Sequence, residues 1–91
     1  MKAETEEELA LLAKAIGHPV RVRILRALSR GDCRVCRDIV SEMPLAQSTV
    51  SEHLRILKEA GLIRSREAGG RVLYCISEDA LQRLKDLIAI L

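Results

Sequence analysis

The sequence predicts a small, mainly α-helical domain carrying one β-hairpin, and three observations support this. Apolar residues recur at three- and four-residue spacing along most of the 91-residue chain. From Leu62 to Ile76 that spacing gives way to strand-like runs on either side of Gly69-Gly70. Hydrophobic residues make up 48% of the chain and Tyr74 is the only aromatic, so the core must be built from Leu, Ile, Val and Ala, a helix-rich set.

Taken in order, Thr5 and Glu8 form a capping box opening a helix over about residues 5–16, with Leu9, Leu12, Ala13 and Ile16 on one face and Gly17 as its stop. His18 precedes Pro19, which suits a first helical position. Val20, Ile24, Leu25 and Leu28 then stripe a second helix that Gly31 breaks. Cys33 to Val35 is too short to classify by periodicity. Ile39, Val40 and Met43 fit a third helix of about two turns, ended by Pro44. Val50, Leu54 and Leu57 align on a longer fourth helix closed by Gly61. After the hairpin, Ser77 caps a last helix over residues 77–91. Glu78 and Asp79 favour its N-terminal dipole, and Leu81, Leu84, Leu87, Ile88 and Leu91 line its apolar side. No linker, repeat or low-complexity segment divides the chain, so residues 1–91 are expected to form one domain.

A short helix, a tight connector, a longer helix and a basic hairpin, in that order, make a winged helix-turn-helix. In that arrangement the segment before the third helix pairs with the second hairpin strand, giving five helices and a two- to three-stranded wing sheet. The fourth helix, held by its apolar side, turns Gln47, Ser48, Thr49, Ser51, Glu52 and Arg55 outward. Amides and hydroxyls there reach base edges and phosphates, and Arg55 can pair with phosphate or guanine. Arg64, Arg66 and Arg71 of the hairpin would flank the groove. The net charge of +2 does not by itself indicate a polyanion partner, but its distribution is uneven. Acid gathers at Glu4, Glu6, Glu7 and Glu8, and base at Arg21, Arg23, Arg26, Arg30, Arg34 and Arg37.

Two runs, Ala15-Ile16-Gly17-His18-Pro19-Val20-Arg21-Val22-Arg23-Ile24-Leu25 and Gln47-Ser48-Thr49-Val50-Ser51-Glu52-His53-Leu54-Arg55-Ile56-Leu57-Lys58-Glu59-Ala60-Gly61-Leu62-Ile63, resemble the second-helix and recognition-helix signatures of the ArsR-type metal- and metalloid-responsive repressors. With Gly70-Arg71-Val72-Leu73-Tyr74 of the wing, the resemblance spans about residues 9 to 76. It implies a symmetric homodimer built from the helices at about 5–16 and 77–91, bound to an imperfect palindrome of operator DNA in two successive major grooves. Leu9, Leu12, Leu84, Leu87 and Leu91 are the apolar residues expected to serve that interface. The chain departs from the family at Ala46, where an N-capping Ser is common, and at Glu52, where Arg or Gln is common. Glu52 can instead accept from a cytosine amino group.

Cys33, Cys36 and Cys75 form an odd set. Pairing of the segment before the third helix with the second wing strand would bring all three together. Three soft thiolates suit As(III) or Sb(III), or a thiophilic divalent metal, acting as an inducer that strains the reading motif and releases DNA; no cofactor is obligatory. The family's metalloid motif is Cys-x-Cys, whereas Cys33-Arg34-Val35-Cys36 is spaced one residue wider. Redox sensing through a disulfide or sulfenate, and simple packing, remain alternatives. His18 and His53 are expected to be structural, and Asp79 with Asp86 makes only a weak zinc constellation.

No apolar stretch approaches the roughly 18 residues that cross a bilayer, and the acidic N-terminus does not begin a signal peptide, so a cytoplasmic protein without a membrane partner is expected. Cys33-x-x-Cys36 lacks the βαβ setting of a dithiol oxidoreductase, and no other nucleophile and base pair is recognisable, so an enzyme is not expected. A winged helix used only to bind proteins is the remaining alternative.

Overall fold

The computed structural model describes residues 1–29 and 33–91; the expected helix stop at Gly31, with Arg30 and Asp32, lies outside the described residues. These form α1 (Ala3–Ile16), α2 (Pro19–Leu28), β1 (Arg34–Val35), α3 (Cys36–Val40), α4 (Gln47–Glu59), β2 (Ile63–Ala68), β3 (Arg71–Ile76) and α5 (Glu78–Ala89).

Local chemistry explains most of the boundaries. The His18 ring accepts the Val20 N–H at 3.1 Å and Pro19 follows it, which together start α2. The Ser77 hydroxyl accepts the Ala80 N–H at 3.3 Å and starts α5. Gly61, at φ +82°, lets the chain turn out of α4 into β2. Gly69 and Gly70, at φ +58° and +75°, supply the two left-handed positions of a two-residue hairpin turn that other residues resist.

Two expected details are corrected. The Thr5–Glu8 capping box does not form: α1 starts at Ala3 with no side-chain cap, and Glu8 turns to Arg83. Nothing in Ala3 to Thr5 breaks a helix, and Glu4 and Glu6 favour its N-terminal dipole, so the helix extends past Thr5. The third helix stops at Val40, short of two turns. The Ser41 hydroxyl donates to the Asp38 carbonyl at 2.7 Å, and such local bonds compete with helix continuation. Met43 is still buried, from the turn that follows.

The sheet is antiparallel with order β1-β3-β2. β2 runs against β3 from Ile63↔Ile76 to Ala68↔Arg71, and β1 pairs on the other edge through Arg34↔Tyr74 and Val35↔Leu73. Ile24, Leu28, Ile39, Val50, Leu54, Leu57, Leu62, Ile63 and Leu87 are fully buried in one aliphatic cluster. Each such side chain contributes on the order of 1.5–3 kcal/mol of transfer free energy. α4 lies against α2, α3 and β2, so its apolar side fixes the direction of its polar side.

α1 packs on α5, and Arg83 grips Glu8 across that contact at 2.7 Å. On α1, Ala15 rather than Ala13 faces the core. Leu12, Leu84 and Leu87, expected at a subunit surface, are buried inside the protomer. The large exposed apolar residues on these helices are Leu11 at 57% and Ile88 at 53%, and Leu91, also expected at that surface, is exposed just beyond the end of α5. Among the described residues, no helix is long and apolar enough to cross a membrane.

Candidate nucleic-acid interface and thiol pair

Burial of Val50, Leu54 and Leu57 leaves Gln47, Ser48, Thr49, Ser51, Glu52 and Arg55 all exposed on the opposite side of α4. Ala46 makes no side-chain cap, so the Gln47 and Ser48 amides at the start of α4 receive no such partner, and helix N-terminal amides of this kind can donate to a phosphate. Arg55 is already engaged. Its Nε and Nη2 donate to the two Glu52 carboxylate oxygens at 3.0 and 2.5 Å, and its Nη1 donates to Glu59 at 2.7 Å. The hydrogen bond from Arg55 holds the Glu52 carboxyl below its ordinary range.

Arg64, Arg66 and Arg71 are exposed on the wing. Between α3, the start of α4 and β3 lies an open cleft of about 580 Å³, whose lining includes Cys36, Arg37, Gln47, Ser51, Arg71 and Tyr74. Arg37 is a phosphate candidate that sequence reasoning placed only within a general basic run. Its position at the start of α3, beside Cys36, was the available signal.

Arg21 belonged to the same basic run but serves the interior. Its Nε donates to the Ala15 carbonyl at 2.6 Å and its Nη1 lies 3.2 Å from His53 Nδ1. A guanidinium only donates, so His53 accepts at Nδ1 and carries its proton on Nε2. The His18 and His53 rings stand 4.5 Å apart, and α2 and α4 are thus bridged by polar groups as well as by core contacts. Burial, followed by the neighbouring His18 and Arg21, pushes His53 down from its ordinary value.

Of the three cysteines, the structure joins two. Cys33 and Cys75 form a disulfide with their Cα atoms 4.4 Å apart. The β1–β3 register places these residues opposite each other one step beyond Arg34↔Tyr74, so the bridge continues the ladder. Cys36 remains a free thiol, half-buried against the core, and burial raises its pKa. Among the described residues, no group of three or more His, Cys, Asp or Glu side chains is arranged to hold a metal ion.

A helix-turn-helix with a polar reading face and an arginine-bearing wing defines the class of DNA-binding regulators. Residues 18–65 match the family described as "Bacterial regulatory protein, arsR family". The chain is 38% identical over 86 residues to the uncharacterized HTH-type transcriptional regulator MJ1325 of Methanocaldococcus jannaschii, covering 93% of this chain and 96% of that protein. It therefore belongs to the ArsR family of transcriptional regulators. Two longer relatives are matched over 65% and 63% of their length. Among solved structures, it is similar to a possible transcriptional regulator for arsenical resistance, with TM-score 0.78 and 29% identity over 88% of this chain and 81% of that one. It is also similar to the homodimeric winged helix-turn-helix domain of Mb0332 from Mycobacterium bovis, with TM-score 0.80 and 30% identity over 97% and 81% of the two chains.

Proposed function

We propose that this chain is a cytoplasmic, homodimeric repressor that reads operator DNA with α4 and its wing, and that thiol chemistry at Cys33 and Cys75 releases it. One observation carries the thiol reading: the Cys33–Cys75 bridge spans the strand leading into α3 and the second strand of the wing. α3 positions α4, and the wing must meet the same DNA. A bond between them therefore acts on both parts of the interface.

In this reading Gln47, Ser48, Thr49, Ser51, Glu52 and Arg55 face base edges and phosphates, and Arg64, Arg66 and Arg71 flank the groove. α1 and α5 form the subunit interface, with exposed Leu11 and Ile88 as its apolar contacts. Oxidation forms the S–S bond and removes two electrons and two protons from the Cys33 and Cys75 thiols; a peroxide accepts them as its O–O bond breaks, leaving as an alcohol and water or, from hydrogen peroxide, as two waters. The disulfide then holds α3 and the wing in one register and limits their adjustment to the operator. Cytosolic disulfides are more often transient and regulatory than structural, which fits such a switch. The release is only as large as the difference in DNA affinity between the two forms.

A second reading, favoured by the convergence of the same two sulfurs and by the likeness to a possible regulator for arsenical resistance, is capture of As(III), Sb(III) or a thiophilic divalent metal. The reduced pair would supply two thiolates, and Cys36, which is not grouped with them, would have to move in as the third. The Cys36 proton must leave first, so capture would strengthen as pH rises.

Fluorescence anisotropy of the DNA upstream of the coding sequence tests both. Peroxide is expected to release reduced wild type and Cys36→Ser but not Cys33→Ser or Cys75→Ser. Release by arsenite that is lost in Cys36→Ser selects the second reading. If reduction lowers only the melting temperature and DNA affinity is the same in both states, the bridge is a structural staple and the thiol reading is wrong.

A further inference from the structure

We infer that Glu52, Arg55 and Glu59 form the specificity-determining unit of α4: the two carboxylates keep Arg55 from indiscriminate phosphate contact, and Glu52 with Arg55 reads a C·G base pair. This rests on α4 being the DNA-reading helix.

The geometry is complete on the Arg55 side. Its guanidinium is forked onto Glu52 through Nε and Nη2 and tied to Glu59 through Nη1, one turn before and one turn after it on the same helix. All three residues are more than half exposed, with side-chain exposures of 53% for Arg55, 56% for Glu52 and 68% for Glu59. Exposed pairs of this kind add little to helix stability. Their effect lies in charge. Two carboxylates and one guanidinium leave one net negative charge on the outward side of α4. The remaining reading residues, Gln47, Ser48, Thr49 and Ser51, are neutral. Lys58, the other cation of the helix, lies beside Gly61, Ile63 and Arg64 toward β2.

A helix entering the groove of a polyanion usually gains from positive charge. Here Arg55 must give up a carboxylate to reach a phosphate, and that carboxylate would stay unpaired beside the DNA backbone. A base edge imposes no such penalty when it replaces what each partner loses. The cytosine amino group donates to Glu52, and guanine O6 and N7 accept the fork of Arg55. A C·G pair offers both sets of groups in the major groove; A·T and T·A pairs do not. Attraction to the backbone is left to Arg64, Arg66 and Arg71 of the wing and to Arg37 of α3. Glu59, one turn further along, holds Arg55 in place while Glu52 turns to the base.

Duplexes selected from a randomised pool by wild type, Glu52→Gln and Arg55→Ala, then ranked against random-sequence DNA, test the inference. Glu52→Gln, which removes the net negative charge from the outward side of α4, is expected to bind random DNA about threefold tighter or more and to show a steeper logarithmic salt dependence. Its preference for the selected site should fall at least about tenfold, the scale of one lost base-edge contact. The wild-type motif should contain a C·G pair in each half-site that both variants lose. If Glu52→Gln selects the same motif with the same preference over random DNA, the inference is overturned while α4 remains the reading helix. If wild type selects no motif, the DNA reading beneath it is overturned as well.

Discussion

His53 sits on α4 with its ring turned inward, where it accepts from Arg21 and meets His18. Its lowered pKa fixes the sign of its contribution to stability. Burial, then His18 and Arg21, favour the neutral ring, and Glu52 opposes them more weakly. An unfolded chain takes up the proton near the ordinary value of 6.5, before the folded chain does. Stability from this residue is therefore present above that value and is lost as pH falls through the folded one. In urea titrations at about pH 7.5 and about pH 5.5, wild type should lose more stability on acidification than His53→Gln, whose amide oxygen can still accept from Arg21. Equal losses would show that His53 titrates as a free side chain. At this scale the sequence was partly legible. Spacing showed that Arg55 is outward, because Leu54 and Val50 must be inward. It did not show that Arg21 turns to Ala15 and His53, because a basic residue carries no mark of which carbonyl or ring it will meet.

Among the elements, the wing was readable from Gly69-Gly70, since only glycine occupies two successive left-handed positions cheaply. β1 was legible only through the fold class: two residues have no period, and their pairing with Tyr74 and Leu73 is tertiary. The thiol pair follows from that pairing, because Cys33 and Cys75 meet only when β1 docks on β3. The capping-box reading failed where a strong local motif was overridden by an earlier helix start. The wing prediction belongs to this scale. Arg66→Ala and Arg71→Ala, at exposed positions of β2 and β3, should weaken binding to all DNA sequences nearly alike. Each should flatten the logarithmic salt dependence by about 0.9 if it meets one phosphate. An unchanged slope would remove the wing from the interface.

The chain presents one α4, so the proposed reading of two successive major grooves, about 34 Å apart along B-DNA, would require two copies. The sequence showed apolar stripes on the first and last helices but not which residues the core would claim. Leu12, Leu84 and Leu87 went to the core, while Leu91 stayed exposed as expected, together with Leu11 and Ile88. Ile88→Glu should therefore leave the fold intact and abolish the dimer in sedimentation, where a wild-type-like dimer would exclude α5 from the interface. The most direct measurement is a hydroxyl-radical footprint of reduced protein on a selected operator, with Ile88→Glu in parallel. Wild type should protect two clusters centred about 10 base pairs apart and related by twofold symmetry, and Ile88→Glu should lose them both at the same protomer concentration. A single unpaired cluster for wild type, unchanged in Ile88→Glu, would contradict a dimer that reads DNA with two α4 helices.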